Sequence, residues 1–274
     1  CRRSWSRVAG TKSTSRSRVP SLSAEARTSC STALGTALRI MQSSTLCCGA
    51  LSEARTNLWA MCASYGLDPR FSDPDALFDD DAELLDELRG WAARNAGETL
   101  LPTGKNLRNL NPIVRESAGR RQLDLAWWGY LVDGAPSKFP SINTRSERLA
   151  ERRGTLPSTA VVPATSWFEM QKPSRQWFSF GADATSPQLF ALAAVTQPGR
   201  TADGAAFTCF SVIMRPAPEH LADVHDRTPL LIPASFMGDW LAGEAPPSEL
   251  IAAAIAESDR ALREVAVTPI AKRP

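Results

Sequence analysis

Apolar and polar positions change their period along the chain. In Ala82-Glu83-Leu84-Leu85-Asp86-Glu87-Leu88-Arg89-Gly90-Trp91 the apolar residues recur at helical spacing behind Asp79-Asp80-Asp81, which predicts a surface helix with acids at its N-terminus. Leu101-Pro102-Thr103-Gly104 is a turn, and Asn111 to Arg115, carrying Pro112, is an edge strand. From residue 123 the texture is β: Leu123 to Val132, Val161-Val162, Gln176 to Phe180, Leu189 to Thr196 and Phe207 to Met214 follow at short intervals. Gly181–Pro187 and Gln197–Ala205 are turn-rich links between the later ones. Helical spacing returns over Ser248 to Val265, with Glu249 in the first turn and Arg263 near the end. The pattern predicts an α+β fold, mainly an antiparallel sheet or barrel with peripheral helices, as one unit over 61–274.

Composition separates the first 60 residues from the rest. They hold nine Lys/Arg and two acids, a net of +7, whereas residues 61–274 hold 22 Lys/Arg and 27 acids, a net of −5. The first segment is rich in Ser, Thr and Arg and has no sustained periodicity, which predicts disorder. It also resembles an organelle transit peptide, or upstream sequence joined to a gene that starts at Met61. Over the acidic remainder, any nucleic-acid site must be a local basic groove. Cys1, Cys30, Cys47 and Cys48 lie in the first segment and only Cys62 and Cys209 beyond it, so no disulfide framework is expected. With two histidines and no C-x-x-C pair, neither is a zinc module. No apolar run approaches the roughly 18–20 residues of a membrane span. The expectation is a soluble cytoplasmic monomer from a reducing compartment, with no metal or other cofactor and no membrane partner.

The chemistry starts at Met61-Cys62-Ala63-Ser64-Tyr65. Inside a chain, Cys62 offers a thiol. At an N-terminus, exposed by trimming Met61, it offers a thiol and an α-amine that together trap aldehydes as a thiazolidine. The amine's reference pKa of about 7.7–8.0 leaves a useful neutral fraction near pH 7. Three other stretches put polar groups where they can act. Asn143, Arg145 and Glu147 stand at period 2 and share one face if extended, with Arg145 able to fork onto a phosphate. Glu169 lies among large hydrophobes, where desolvation raises a carboxyl pKa toward neutrality. His225 is of the residue type that can donate or accept protons near pH 7, Asp226 can orient it or a turn, and Arg227 can hold an anion. His220 has less company and is incidental. A charge cluster at Arg148, Arg152 and Arg153 is a solvated helix face or an addition to a basic groove.

Taken in order, Met-Cys, a Pro-Thr turn, Trp-Gly (Trp128), Asn-x-Arg-x-Glu, Val-Pro followed six residues on by Glu, and His-Asp-Arg-x-Pro resemble the SRAP family, the SOS response-associated peptidase domain. The resemblance spans about residues 61 to 243. It implies a domain that covalently shields abasic sites in single-stranded DNA and associates with the nucleoid on DNA damage. It further implies that Cys62 forms the thiazolidine with the ring-opened sugar and that Asn143 positions the Cys62 backbone or the sugar. Glu169 would shuttle protons in crosslink formation and reversal, and His225 would assist ring opening and the Schiff-base steps. Arg145, Trp128, Pro102 and Thr103 would face DNA. The chain departs from the family's usual Cys-Gly-Arg start with Cys62-Ala63-Ser64, from Tyr-Glu-Trp with Phe168-Glu169-Met170, and from a Met with Thr228. Two alternatives stand beside this one. The first is a thiol peptidase or autoprotease that pairs Cys62 with His225, and the second a non-covalent single-stranded DNA-binding module.

Overall fold

Alternating strands in the middle of the chain close on themselves. The structure, a computed structural model, describes residues 62–78, 81–103, 110–132, 135–136, 141–172, 174–181, 185–200 and 203–272. Residues 1–60, Met61, Asp79, Asp80 and Gly104, on which parts of the sequence expectation fall, lie outside the described residues. The chain opens with β1 (Tyr65–Gly66), α1 (Ala82–Arg94) and β2 (Thr99–Leu100), followed by the long strands β3 (Leu110–Ser117) and β4 (Arg120–Trp128). The short pair β5 (Leu131–Val132) and β6 (Ala135–Pro136) precedes β7 (Asn143–Arg145), which runs directly into α2 (Ser146–Ala150). Then come β8 (Thr159–Ala164), β9 (Ser166–Met170), β10 (Trp177–Gly181), β11 (Phe190–Arg200) and β12 (Ala206–Pro216). The remainder is α3 (Glu219–Ala222), β13 (Arg227–Pro229), α4 (Ala234–Ala242), α5 (Pro247–Ala261) and β14 (Ala266–Ile270).

Five strands form the barrel, in the cyclic order β3-β4-β12-β11-β8. Its ladders are antiparallel except where β4 meets β12 in parallel, at Trp127↔Cys209 and Trp128↔Phe210. Trp128 stacks on Phe210 across that junction, ring centroids 6.0 Å apart, and both are fully buried. The two rings thus seal the closure with a large apolar contact. The chain leaves the ladder just past it, at Gly129, where φ is +104° and an added Cβ would stand 3.2 Å from Ile142 Cγ2. The Gly129 N–H donates to Phe210 O at 2.8 Å. A second, antiparallel sheet has the order β14-β10-β9-β1-β2. Only Thr165 separates β8 from β9, so one segment crosses from barrel to sheet. Gly181 packs against the crossing so closely that a Cβ would lie 2.6 Å from Thr165 O. The fold is α+β and mainly antiparallel, as the pattern predicts.

Several local expectations change. The edge strand expected at Pro112 is interior: β3 pairs with β4 along its length and with β8 at Val114↔Val161. Because the β8 ladder meets β3 at that one pair, the missing proline N–H breaks no regular run of bonds. The expected link at Gln197–Ala205 is shorter, since the β11–β12 ladder continues through Pro198 and Gly199 to Arg200↔Ala206. Asp81 caps α1, its carboxylate accepting from Leu84 N–H at 3.0 Å. The helix expected over Ser248–Val265 ends at Ala261 and tightens into a 3-10 turn over Leu262–Glu264, which holds Arg263.

Candidate active site and nucleic-acid interface

The segment that begins at Cys62 is laid along β9, in the second sheet. Tyr65 pairs with Trp167 and Leu100, and Phe168 N–H donates to Ser64 O at 3.2 Å. This register brings Cys62 to Glu169. The Cys62 N–H donates to the Glu169 carboxyl, while Asn143 Nδ2, arriving from β7 on the barrel, donates to Cys62 O at 2.7 Å. Cys62 is therefore held on both sides of its backbone, one side by each sheet.

Each component is dry. Cys62 is 1% exposed and Glu169 3% exposed. Burial pushes the Glu169 carboxyl well above the usual glutamate range, and the nearby Asp226 carboxylate adds to this, while the Cys62 N–H and Lys172 offset part of it. Burial likewise pushes the Cys62 thiol well up, with repulsion from Glu169 adding and a bond to Ser64 O offsetting. Glu169 Oε1, Asn143 Oδ1, Ser64 Oγ and Thr228 Oγ1 are buried with no hydrogen-bond partner among the described residues. Two oxygens without partners thus flank Cys62, on the side chains that hold it.

His225 lies in the turn before β13, which reaches the site through Asp226, whose carboxylate bears on Glu169. Gln171 Nε2, just past the end of β9, donates to Asp223 O at 2.8 Å, which ties that turn to the sheet. His225 is 8% exposed and its Nδ1 accepts from Arg227 N–H at 3.0 Å, so in the neutral ring the proton sits on Nε2. Asp226 Oδ1 is 3.2 Å from the same Nδ1 and can accept a hydrogen bond from it only when the ring is the imidazolium. Arg227 does not wait for an anion: its Nη1 pairs with Glu147 Oε1 and Oε2 at 2.7 and 2.8 Å. Here the expectation of one extended Asn143-Arg145-Glu147 face fails. Helix α2 starts at Ser146, which swings Glu147 off the strand and toward Arg227. His220 lies elsewhere, with Nε2 3.2 Å from Leu262 O.

The residues expected to face DNA divide. Arg145 is exposed at the end of β7. Trp128 is fully buried and supports the site from behind, its Nε1 donating at 2.8 Å to Ile142 O, the carbonyl next to Asn143. Thr103 is also buried; its hydroxyl accepts from Trp128 N–H at 3.0 Å and from Asn111 Nδ2 at 3.4 Å. Pro102 beside it is half-buried. Tyr65 completes this network, donating to Asn111 Oδ1 at 3.1 Å and packing edge-on against Trp128. Sequence reasoning passed over Tyr65 and Asn111. The available signal was an amide inside an apolar strand, which must find partners once buried.

A cysteine clamped by an amide and a buried carboxyl, where a five-stranded barrel meets a second sheet, defines the class. The chain belongs to the SOS response associated peptidase (SRAP) family, whose sequence model matches residues 79–273. It is 32% identical over 145 residues to abasic site processing protein YedK of Escherichia coli, a match covering 50% of this chain and 63% of that protein. To abasic site processing protein YobE of Bacillus subtilis it is 26% identical over 190 residues, 66% of this chain and 82% of that one. Its fold is also that of a Bacteroides thetaiotaomicron protein of known crystal structure (TM-score 0.54, 14% identity, 76% of this chain and 92% of that one). A Bordetella bronchiseptica protein gives a TM-score of 0.50 at 15% identity, covering 77% of this chain and all of that one.

Proposed function

We propose that the protein is an abasic-site sensor that crosslinks itself to single-stranded DNA through Cys62. The observation that carries this is the placement of the Cys62 nitrogen on the buried Glu169 carboxyl. With Met61 removed, that nitrogen becomes an α-amine, and its neutral form attacks the aldehyde of a ring-opened abasic deoxyribose. The carbinolamine loses water to give an imine. The Cys62 thiol then adds to the imine carbon, its proton passes to nitrogen, and a thiazolidine closes with one water released overall. Glu169, protonated by its surroundings, supplies the proton that expels water, regains one from nitrogen as the imine forms, and relays the thiol proton to nitrogen as the ring closes, a role that suits a carboxyl whose pKa burial has raised. Asn143 fixes the Cys62 carbonyl and keeps Oδ1 available to accept from a sugar hydroxyl. His225 acts on ring opening from its Nε2 side. The relatives named for abasic-site processing support the choice of substrate.

In this account the working protein begins at Cys62 and acts in the cytoplasm as a monomer on nucleoid DNA. A thiol peptidase with a Cys62–His225 pair has less support. Such pairs depress the thiol pKa, whereas the Cys62 thiol is pushed up and the charge it feels is that of Glu169. The test is a chain begun at Met61, incubated with an oligonucleotide carrying one abasic site and run on a denaturing gel. The wild type yields a heat-stable adduct and Cys62→Ser none. An undiminished adduct from Cys62→Ser overturns the proposal.

A further inference from the structure

The turn that carries His225 is fastened at two points to the segments that carry the other site residues. One tie comes from the end of β9. Gln171 lies two residues beyond Glu169, and its N–H still donates to Gln176 O at 2.9 Å, so the extended backbone puts both side chains on the same face of the sheet. Its carboxamide is oriented: Ser174 Oγ donates to Oε1 at 2.7 Å, which turns Nε2 to Asp223 O, 2.8 Å away. The other tie comes from α2. Glu147, four residues beyond Asn143, accepts Arg227 Nη1 on both carboxylate oxygens. His225 stands in sequence between the two attached residues, and the Arg227 N–H donates to its Nδ1. Bonds to Leu221 O and from Ala217 N–H fasten the same turn to α3 and the end of β12, but neither of these sets its distance from Glu169. The ties have something to resist. Asp226 bears on Glu169, so repulsion works to part the turn from the strand whenever the acid gives up its proton.

We infer that Gln171 and Glu147 are positioning residues for the crosslinking reaction: they hold the His225 turn against the strand of Glu169 and the segment of Asn143, and act through His225 rather than on the sugar. The inference rests on the proposed function, in particular on the part given there to His225. An acid–base group serves only within hydrogen-bond reach of the proton it moves, and an ångström of misplacement can cost about a hundredfold in rate.

The test is a double-mutant cycle in a chain begun at Met61, each variant first checked for a cooperative melt. Ties at the surface contribute little to stability, so removing them is expected to leave the fold in place. Adduct formation with an abasic single-stranded oligonucleotide is timed on denaturing gels over a range of DNA concentrations, which separates the limiting rate from the half-saturating concentration. Glu147→Ala/Gln171→Ala is expected to lower the limiting rate by about tenfold without raising the half-saturating concentration. His225→Ala lowers the rate too, and adding the two substitutions to it should lower it no further, since residues that act through one group are not additive. Glu147→Gln keeps an oxygen for Arg227 and should retain most of the rate, while Glu257→Ala, which removes an ion pair on α5, should leave it unchanged. Should the double variant not melt cooperatively, Gln171→Ala alone, at a half-buried position, goes through the same cycle. A wild-type rate in the double variant or in His225→Ala, or an equal loss with and without His225, overturns the inference and leaves crosslinking standing so long as the wild type forms its adduct. A wild type that forms no adduct overturns the crosslinking proposal, and this inference with it.

Discussion

Cys62 has both its backbone groups engaged by side chains far away in sequence, Asn143 and Glu169. Sequence spacing cannot show such a meeting. What was legible was each partner's character: an acid among hydrophobes at Glu169, and an amide in a polar stretch at Asn143. Because an acid with a raised pKa adds its full stability below its unfolded value, about 4.3 for glutamate, and loses it as pH rises through the folded value, the Glu169 shift has a stability consequence. In the full 274-residue chain, where the Cys62 nitrogen is an amide, Glu169→Gln is expected to gain in Tm on wild type at pH 8 relative to the difference at pH 4. Scanning calorimetry at the two pH values checks this, and the opposite trend contradicts a raised pKa. In a chain begun at Met61 the same substitution is expected to slow adduct formation at pH 7 by about a hundredfold or more, the usual worth of a positioned acid–base group. The raised thiol predicts its own chemistry. Iodoacetamide should label Cys62 slowly at pH 7 and faster as pH rises past 9, measured by mass spectrometry, whereas rapid labelling at pH 6 would point to a thiolate pair.

At the scale of elements, the site depends on how short strands end. β4 stops because Gly129 adopts φ +104°, and β7 stops because α2 begins one residue after Arg145. The apolar pattern from Leu123 to Val132 reads as one strand, and nothing in its hydrophobicity marks the break. The glycine does, though only a positive φ makes it obligatory. Gly129→Ala places a Cβ in a region of φ that side chains avoid and 3.2 Å from Ile142 Cγ2. It is expected to cost about 2 kcal/mol, or roughly 4–8 °C in Tm for a domain of this size, with unchanged Tm contradicting the role. The α2 turn also decides what the charged residues of the region do. It carries Glu147 to Arg227 and leaves Arg148 and Arg152 exposed. An expectation built on period 2 was bound to miss both, since the chain is helical from Ser146.

At the scale of the molecule, the pattern gave the β texture and its antiparallel bias. It could not give the closure, because β4 and β12 meet in parallel across some 80 residues of chain and a parallel pairing leaves no hairpin signal. Nor could it show that two sheets meet at the site, which is what brings β7 of the barrel to the segment preceding β1. The described residues form a hydrophobic core of their own, so a chain begun at Met61 is expected to melt cooperatively, with a Tm within a few degrees of the full chain. A loss of cooperative melting would show that residues 1–60 belong to the fold. No helix of the described residues is long and apolar enough to cross a membrane.

The most direct test of the crosslinking chemistry asks whether the Cys62 amine must be free. A chain begun at Met61, with removal of the methionine verified by mass, is compared with the full chain verified as uncut, each incubated with abasic single-stranded DNA and resolved on a denaturing gel. The trimmed chain should form a heat-stable adduct whose mass equals protein plus DNA less one water, and the uncut chain should form none. An equal adduct from a chain still carrying residues ahead of Cys62 would contradict thiazolidine formation at that residue.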